Sequence, residues 1–313
     1  MKNLKKINGD ASFRKFYRKK VKNFSSILVF SKREKYKNLL IYDAINKIFI
    51  KNKVLAPKLY NENYKKNYIE IEDFGNDTIF KILNKKKSSK IFYFKKIIQL
   101  LCQIQSIKSI STYNFRKKKF QISKYEKKFL LQEANLFCDW YVKKNLSRKQ
   151  SRGFVKQFKK ITKKLSLRLK LKNNTLVHRD FHVSNLMFFK NKVGVIDSQD
   201  ALIGNRAYDL ASLIDDVRFK TSTVLKNKIY KLYLAKQKKL DKAKFKNDFE
   251  ILSILRNLKI IGIFTRLAIR DGKKRYLRLI PYAWSLINIR INKNNIFIDL
   301  KKLLNQNFKG KIK

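Results

Sequence analysis

The sequence predicts an α+β fold with a small, β-rich first part and a larger, mainly helical second part. Strand-like runs of aromatic and β-branched residues dominate before residue 75, whereas apolar residues at helical spacing dominate after residue 78. The length points the same way, because 313 residues exceed the roughly 250 to 300 at which a single core usually divides. We therefore predict two domains, residues 1–75 and 76–313.

The first part reads as a turn, two strands, a helix and another strand. The strands are expected at 13–18 and 27–30, where aromatic and β-branched residues cluster. Apolar residues at helical spacing predict a helix over 33–51. Pro57 interrupts the chain before a strand expected at 68–71.

The second part is helical except for one segment near its middle. Helical spacing predicts helices over 89–107, 123–145 and 150–169, and again from residue 208, most clearly over 247–270. Short apolar runs separated by polar clusters predict brief strands between residues 175 and 197. A Lys-rich stretch at 236–246 is expected to be a solvated helix face or a loop.

The formal net charge of +55 favours anionic partners in general. The chain has 61 Lys against 16 Arg, and they are spread from Lys2 to Lys313 instead of clustering as in a nucleic-acid-binding patch. Lys, Asn and Ile share A/T-rich codons, so base bias explains much of the excess. We do not expect nucleic acid to be the main partner.

The remaining composition is that of a cytoplasmic globular protein. Hydrophobic residues make up 44% of the chain, which is ample for a packed core. No run of 18 apolar residues predicts a membrane span, and the basic N-terminus lacks the apolar stretch of a signal peptide. Cys102 and Cys138 lack metal-ligand spacing and are expected to be buried thiols.

An acidic cluster in this basic chain carries the chemistry. Six of the 15 Asp residues fall between Asp180 and Asp216. The cluster contains His178-Arg179-Asp180, then Asn185 after four further residues, and Asp197 at the end of an apolar run. This matches the kinase pattern H-R-D-x-x-x-x-N followed by a metal-binding Asp at a strand end.

The chemistry of phosphoryl transfer explains these residue types. The acceptor hydroxyl needs a carboxylate within hydrogen-bond reach, and Mg²⁺ prefers oxygen ligands from carboxylates and amides. We predict that Asp180 takes the hydroxyl proton, that Asn185 and Asp197 bind the metal, and that His178 holds the loop through hydrogen bonds.

Four segments, one of which contains this loop, resemble the aminoglycoside phosphotransferase superfamily, and within it the anomeric N-acetylmuramate/N-acetylglucosamine kinases. These segments are Gly9-Asp10-Ala11-Ser12-Phe13-Arg14; Glu133 through Leu136-Phe137 to Trp140-Tyr141; His178 to His182 with Asn185-Leu186-Met187 and Ile196 to Ala201; and Arg256-Asn257-Leu258-Lys259 with Gly262-Ile263-Phe264, Arg266 and Arg270 to Lys273.

The resemblance implies a bilobal protein-kinase-like fold and the cofactors ATP and Mg²⁺. It implies a hinge between the two lobes at residues 71–75, where backbone groups of Glu72 and Asp73 contact the adenine. It further implies a small-molecule sugar substrate phosphorylated at its anomeric hydroxyl, in cell-wall (peptidoglycan) recycling. The product would then pass to a sugar-1-phosphate nucleotidyltransferase.

The chain departs from the kinase pattern where a strand lysine normally binds phosphate. Phe30 stands at that position, so Arg14 and Lys32 are both candidates for the missing charge. For Ser12, a hydrogen bond to phosphate and a simple turn cap stay open. Ser198 stands where this branch usually has Phe.

Three residues are candidates for substrate binding, each with an alternative. Glu133 either binds sugar hydroxyls or is an exposed charge. His182 contacts the substrate or packs in the loop, and Asp200 lines the sugar pocket or supports the metal site.

Three functions therefore compete: an anomeric amino-sugar kinase, another small-molecule kinase acting on a sugar, choline or an aminoglycoside, and a catalytically idle module. The intact set of Asp180, Asn185 and Asp197 argues against the idle module. The sequence from Val217 to Lys313 contains five acidic and 26 basic residues, which disfavours a polycationic aminoglycoside as the substrate.

Overall fold

The structure is a computed structural model that describes residues 4–7, 14–22, 24–31, 38–85 and 89–312. The strands are β1 (Leu4–Ile7), β2 (Lys15–Val21), β3 (Phe24–Phe30), β4 (Leu59–Asn63), β5 (Tyr68–Glu72), β6 (Ser111–Tyr113), β7 (Lys119–Gln121), β8 (Asn173–Val177), β9 (Leu186–Phe189), β10 (Lys192–Val195) and β11 (Leu202–Asn205). The helices are α1 (Asn38–Lys51), α2 (Ile79–Leu83), α3 (Lys90–Ser106), α4 (Lys127–Leu136), α5 (Lys143–Asn145), α6 (Arg148–Leu167), α7 (Ala207–Ile214), α8 (Thr223–Ala235), α9 (Lys242–Ile269), α10 (Ile280–Ile291) and α11 (Ile298–Asn307).

Contacts divide the chain into two compact units. The first comprises residues 1–123 and 175–203, and the second comprises 124–174 and 204–313. The α+β class is confirmed, because an antiparallel sheet occupies the N-terminal region and helices make up most of the remainder. The placement of a nucleotide-binding domain at 1–75 and of a hinge at 71–75 stays a prediction.

Within the described residues, five strands of the first unit form an antiparallel sheet in the order β1-β2-β3-β5-β4. The central strand β3 buries Ser26, Leu28 and Val29, with Val29 only 1% exposed. Val29 packs with Ile69 and Ile71 of β5 and with Leu39 and Tyr42 of α1. This small core fixes α1 against the sheet.

The segment predicted to be catalytic, residues 178–197, contains a β-hairpin in the same unit. β9 and β10 pair in antiparallel register from Leu186 opposite Val195 to Phe189 opposite Lys192. At the open end of the hairpin, Ile196 N donates to Asn185 O at 3.0 Å. The hairpin therefore brings the end of the catalytic loop beside the start of the segment that contains Asp197.

The second unit is built around α9, whose 28 residues are mostly buried. Gly262 of α9 crosses the chain where α4 passes into a π-helical turn, Phe137–Val142. A Cβ atom at Gly262 would lie 2.3 Å from the carbonyl of Leu136, so only glycine permits this approach of two backbones.

Most predicted elements are present, and the differences have simple causes. The strands at 4–7, 59–63, 111–113 and 119–121 were not predicted, because they are short and largely polar. The strand at 202–205 was not predicted either, because it has only four residues. The helix expected over 123–145 begins at Lys127 and changes to π-helical geometry at Phe137. In the part of the chain that the structure describes, every helix is too short or too polar to cross a membrane.

Candidate active site

The predicted catalytic loop, residues 178–185, follows β8 and is held by a buried histidine. His178 is fully enclosed, and its Nε2 lies 3.1 Å from the carbonyl oxygen of Ile196, the residue before Asp197. This is the loop-holding hydrogen bond that the sequence predicted for His178. It ties the chain before Asp180 to the chain before Asp197.

Arg179, with φ 72°, and Asp197, with φ 66°, both have left-handed backbone conformations. A left-handed conformation costs a non-glycine residue of order 1 kcal/mol and persists only where the surroundings enforce it. Residues of this kind concentrate at functional sites.

The loop is closed by hydrogen bonds around Asn185. Its Nδ2 donates to the carbonyl oxygen of Asp180 at 3.1 Å and lies 3.4 Å from Nε2 of His182. The backbone NH of His182 also donates to the Asp180 carbonyl at 3.0 Å. Because the amide nitrogen is fixed on the loop, its oxygen is the end with metal-ligand chemistry. The Asp180 side chain is half-buried.

His182 is 6% exposed and packs within this loop. Its contact with Asn185 corresponds to the packing interpretation, whereas contact with a substrate stays a prediction.

Asp197 follows β10 and forms an ion pair with Arg14, whose guanidinium also donates to Gln199 Oε1 at 2.6 Å. The Asp197 side chain is 34% exposed and that of Arg14 only 4%. The carboxylate is thus approached by a cation from the protein side and stays accessible from solvent. The sequence left Arg14 and Lys32 as equal candidates, and Lys32 lies outside the described residues together with Ser12.

Helix α1 anchors the segment that follows Asp197. The buried hydroxyl of Ser198 donates to Asn46 Oδ1 of α1 at 2.6 Å, and Asn46 Nδ2 donates to the carbonyl of Pro57 at 3.1 Å. The neighbouring Tyr42 hydrogen-bonds Asn46, and burial raises its pKa to about 12. This polar anchor stands where the resemblance leads one to expect Phe, and sequence reasoning missed it.

Asp200 lies beside the catalytic loop. Its backbone oxygen accepts from Arg179 Nη1 at 3.1 Å, and its carboxylate accepts from Gln199 Nε2 at 2.8 Å. Asp200 is exposed, so its role in a sugar pocket stays a prediction.

The predicted hinge is fixed to β2 by Arg18. Its guanidinium contacts the Asp73 carboxylate at 2.6 Å and donates to the Gly75 carbonyl at 2.8 Å. Burial alone raises the pKa of Asp73, but hydrogen bonds from Arg18, Ser25 and the Gly75 NH outweigh it and hold the pKa below its usual value. The Asp73 carboxylate is therefore engaged within the protein, and the predicted adenine contact at Glu72 and Asp73 concerns backbone groups, which stays a prediction.

Glu133 lies in the second unit, at the centre of a polar cluster. Its carboxylate accepts from the hydroxyl of Tyr125, lies 3.4 Å from the hydroxyl of Tyr208, and forms an ion pair of 3.1 Å with Lys259 of α9. The side chains of Glu133 and Lys259 are each 14% exposed. Glu133 is thus not the exposed charge that was one of its two interpretations.

The donor set of the first unit fits a magnesium–nucleotide complex better than a metal held by protein alone. Among the described residues, no three or more His, Cys, Asp and Glu side chains come together as a metal site. Asp197 and Asn185 offer a carboxylate and an amide oxygen, which Mg²⁺ accepts when waters and substrate phosphates complete its shell.

Comparison with known families decides the assignment. The family described as "Phosphotransferase enzyme family" matches residues 3–240, about three-quarters of the chain. The chain belongs to this family. The match includes the whole catalytic segment with Asp180, Asn185 and Asp197, and the protein is therefore a phosphotransferase.

Curated relatives carry one common name, N-acetylmuramate/N-acetylglucosamine kinase. The protein of that name from Neisseria meningitidis is 27% identical over 278 residues, covering 87% of this chain and 80% of its own. The Pseudomonas putida protein is 24% identical, with 96% and 87% covered. The Caulobacter vibrioides protein is 36% identical over 117 residues, 36% of this chain and 32% of its own.

Solved structures confirm the kinase-like fold. A crystal structure of the aminoglycoside phosphotransferase APH(4)-Ia superposes with a TM-score of 0.62 at 11% identity, covering 91% of this chain and 93% of that one. A choline/ethanolamine kinase family protein from Mesorhizobium loti gives 0.63 at 10% identity, covering 97% and 92%.

Proposed function

We propose that this phosphotransferase moves the γ-phosphoryl group of ATP to the anomeric hydroxyl of N-acetylmuramate or N-acetylglucosamine. The observation that carries the proposal is the common name of relatives that align over most of the chain, with Asp180, Asn185 and Asp197 all present. A thermostable mutant of APH(4)-Ia, which shares the fold, was solved with AMP-PNP and hygromycin B.

In the proposed reaction, Asp180 orients the sugar hydroxyl and accepts its proton as the oxygen attacks phosphorus and ADP leaves. Asn185 and Asp197 would hold Mg²⁺, which would supply positive charge against the phosphate oxygens. His178 and the Asn185 amide keep these side chains in place through the hydrogen bonds described above. The protein thereby contributes positioning and electrostatics, the two main factors in phosphoryl transfer.

On the acceptor side, we propose that Glu133, His182 and Asp200 contact the sugar. Glu133 is supported by its cluster, since a carboxylate that is fixed by two tyrosines and Lys259 has a defined direction for hydroxyl recognition. The basic sequence after Val217 favours an acceptor with an anionic group, such as the lactyl carboxylate of N-acetylmuramate. We further propose that the reaction takes place in the cytoplasm, where ATP is available, and that its sugar 1-phosphate passes to a nucleotidyltransferase.

The test is an ATP-consumption screen with N-acetylmuramate, N-acetylglucosamine, choline and an aminoglycoside, each with and without Mg²⁺. We expect turnover with one or both amino sugars that depends on Mg²⁺ and is lost in Asp197→Asn. Turnover with choline or the aminoglycoside alone would replace the proposed acceptor by another of the same superfamily.

A further inference from the structure

The strand that normally supplies a phosphate-binding lysine in kinases supplies no cation here. β3 reads Phe-Ser-Ser-Ile-Leu-Val-Phe over Phe24–Phe30, without a basic residue. The strand paired with it begins at Lys15, opposite Phe30, and Arg14 directly precedes that strand. A guanidinium is therefore available one strand away from the usual position.

Arg14 is built into the site and is not a surface charge. Its side chain is 4% exposed, its guanidinium lies 5.7 Å from the ring centroid of Phe16, and it bonds to both Asp197 and Gln199. Burying a charge in this way costs several kcal/mol unless it is paired and hydrogen-bonded. The position of Arg14 thus depends on the carboxylate that the metal needs.

The carboxylate itself cannot follow Arg14 far. The segment after Asp197 is anchored to α1 through the bond of Ser198 to Asn46, and the segment before it is anchored through His178 and Ile196. Any exchange of partners must therefore come from the long, flexible side chain of Arg14.

We propose that Arg14 holds the metal-binding carboxylate of Asp197 in the nucleotide-free enzyme and transfers its guanidinium to the nucleotide phosphates when Mg²⁺–nucleotide binds. The inference rests on the proposed function for the identity of the nucleotide and the metal. In the free enzyme Arg14 neutralises Asp197. In the complex Mg²⁺ takes over Asp197, and the guanidinium pairs with phosphate, for which its fork of donors is suited.

The exchange has a consequence that a structural arginine does not share. Arg14 and a divalent cation compete for Asp197 in the free enzyme, whereas they cooperate once phosphate is present. Removing the guanidinium must therefore strengthen the binding of the metal alone. It must weaken the binding of the metal–nucleotide complex, because the bidentate contact with phosphate outweighs the contact with Asp197 that is given up.

The experiment measures two affinities on the full-length protein and its variants Arg14→Gln, Arg14→Lys and Arg116→Gln. Mn²⁺ binding without nucleotide is followed by electron paramagnetic resonance, and Mg²⁺–ADP binding by calorimetry. Arg116 is an exposed arginine of the same unit and serves as the charge-matched control. Circular dichroism verifies folding, and Arg14→Lys keeps the charge should Arg14→Gln fold poorly.

We expect Arg14→Gln to bind Mn²⁺ about tenfold more tightly than the wild type, because one charged hydrogen-bonded contact no longer has to be broken. It should bind Mg²⁺–ADP about tenfold more weakly, because the bidentate phosphate contact that is lost is stronger than the Asp197 contact by about one such hydrogen bond. Both affinities of Arg14→Lys should lie between those of the wild type and Arg14→Gln, because a single ammonium group cannot bond to Asp197 and Gln199 with the forked geometry of a guanidinium. Arg116→Gln should leave both affinities unchanged.

An unchanged or weaker Mn²⁺ affinity in both Arg14 variants would overturn the proposal, since Arg14 would then not compete for Asp197. Unchanged or tighter Mg²⁺–ADP binding in Arg14→Gln would overturn it too, because the guanidinium would then not gain at the phosphates more than it gives up at Asp197. A wild type that binds no Mg²⁺–nucleotide refutes the proposed function as well. Opposite shifts in an enzyme that phosphorylates none of the four acceptors would reject only the sugar assignment.

Discussion

Asp197 and Asp215 belong to the same acidic cluster of the sequence, yet their surroundings are opposite. Asp197 is bonded to one buried cation and is 34% exposed. Asp215, in the second unit, is 1% exposed, and its oxygens bind Lys226 at 3.2 Å, Arg290 at 3.1 Å and the Ser253 hydroxyl at 2.6 Å. The comparison separates a carboxylate that can take a ligand from one whose bonding capacity is already used within the protein.

The difference appears in the protonation chemistry of Asp215. Burial alone raises its pKa, but the charges of Arg290 and Lys226 and the Ser253 hydrogen bond outweigh burial and hold the pKa below its usual value. Such an aspartate stabilises the fold and is unsuited to exchange partners. We therefore expect the same isosteric substitution to affect activity at Asp197 and stability at Asp215.

The largest expected effect is on turnover in Asp197→Asn. If Asp197 binds Mg²⁺ as proposed, loss of the carboxylate removes a metal ligand and several kcal/mol of charge stabilisation, so kcat should fall by roughly 10³-fold or more. Steady-state ATP consumption checks the rate. The melting temperature should fall less than in Asp215→Asn, because this substitution removes the counter-charge of one cation, Arg14, whereas Asp215→Asn removes that of two. Full turnover in this variant would remove Asp197 from the site.

The next effect is on stability in Asp215→Asn. Two buried cations, Lys226 and Arg290, lose their counter-charge, and breaking a buried pair costs about 3–5 kcal/mol. Urea unfolding measures this loss. Asp299→Ala is the control, because its ion pair with Lys164 is more than half exposed and is expected to contribute at most about 1 kcal/mol. Equal losses in the two variants would contradict the comparison.

The sequence predicted the chemical residues of the catalytic segment because their spacing is local. His178, Asp180 and Asn185 lie within eight residues of one another, and short runs of chain fix their geometry. The sequence singled out Asp197 by its place after an apolar run, but it did not predict the partners of Asp197 and Asp215, because those partners are remote. Arg14 lies 183 residues from Asp197, and Arg290 lies 75 residues from Asp215. Short edge strands such as β1 were not predicted for a related reason. They are defined by their hydrogen bonds to a neighbouring strand and have no distinctive pattern of apolar residues.

A third prediction concerns Asp180→Asn. Asn keeps the shape and accepts a hydrogen bond from the sugar hydroxyl, but it cannot take the proton. General base catalysis contributes about 10²- to 10⁴-fold, and the acidity of an anomeric hydroxyl places the expected loss near 10²-fold. The loss should appear equally in kcat and kcat/KM, with nucleotide affinity unchanged. A variant with full kcat would make Asp180 a structural residue.

The acid dependence of stability gives a smaller effect with a definite sign. Because the pKa of Asp215 is depressed in the folded state, its stabilisation is present above the unfolded carboxyl pKa of about 3.9 and is lost as pH falls through the lower folded pKa. Melting temperatures of the wild type and Asp215→Asn should therefore converge below about pH 4. Parallel curves down to pH 2 would show that Asp215 is not the titrating group.

The smallest effect is expected for Ser198→Ala, which removes the hydroxyl that anchors the metal-binding segment to Asn46. We expect a loss of about 1 kcal/mol in the free energy of unfolding and a reduced affinity for Mg²⁺–nucleotide. Ser285→Ala is the control, because that serine is exposed and bonds only within α10. An unchanged nucleotide affinity in Ser198→Ala would show that the anchor does not position Asp197.

The most direct test of the central claim is to locate the transferred phosphate. The enzyme, ATP and Mg²⁺ are incubated with N-acetylmuramate and with N-acetylglucosamine, and the product is examined by phosphorus–proton correlation NMR. The account predicts a phosphate coupled to the anomeric proton, loss of reducing-end reactivity, and no product with Asp197→Asn. A phosphate coupled to the C6 protons would contradict the assignment of the anomeric hydroxyl.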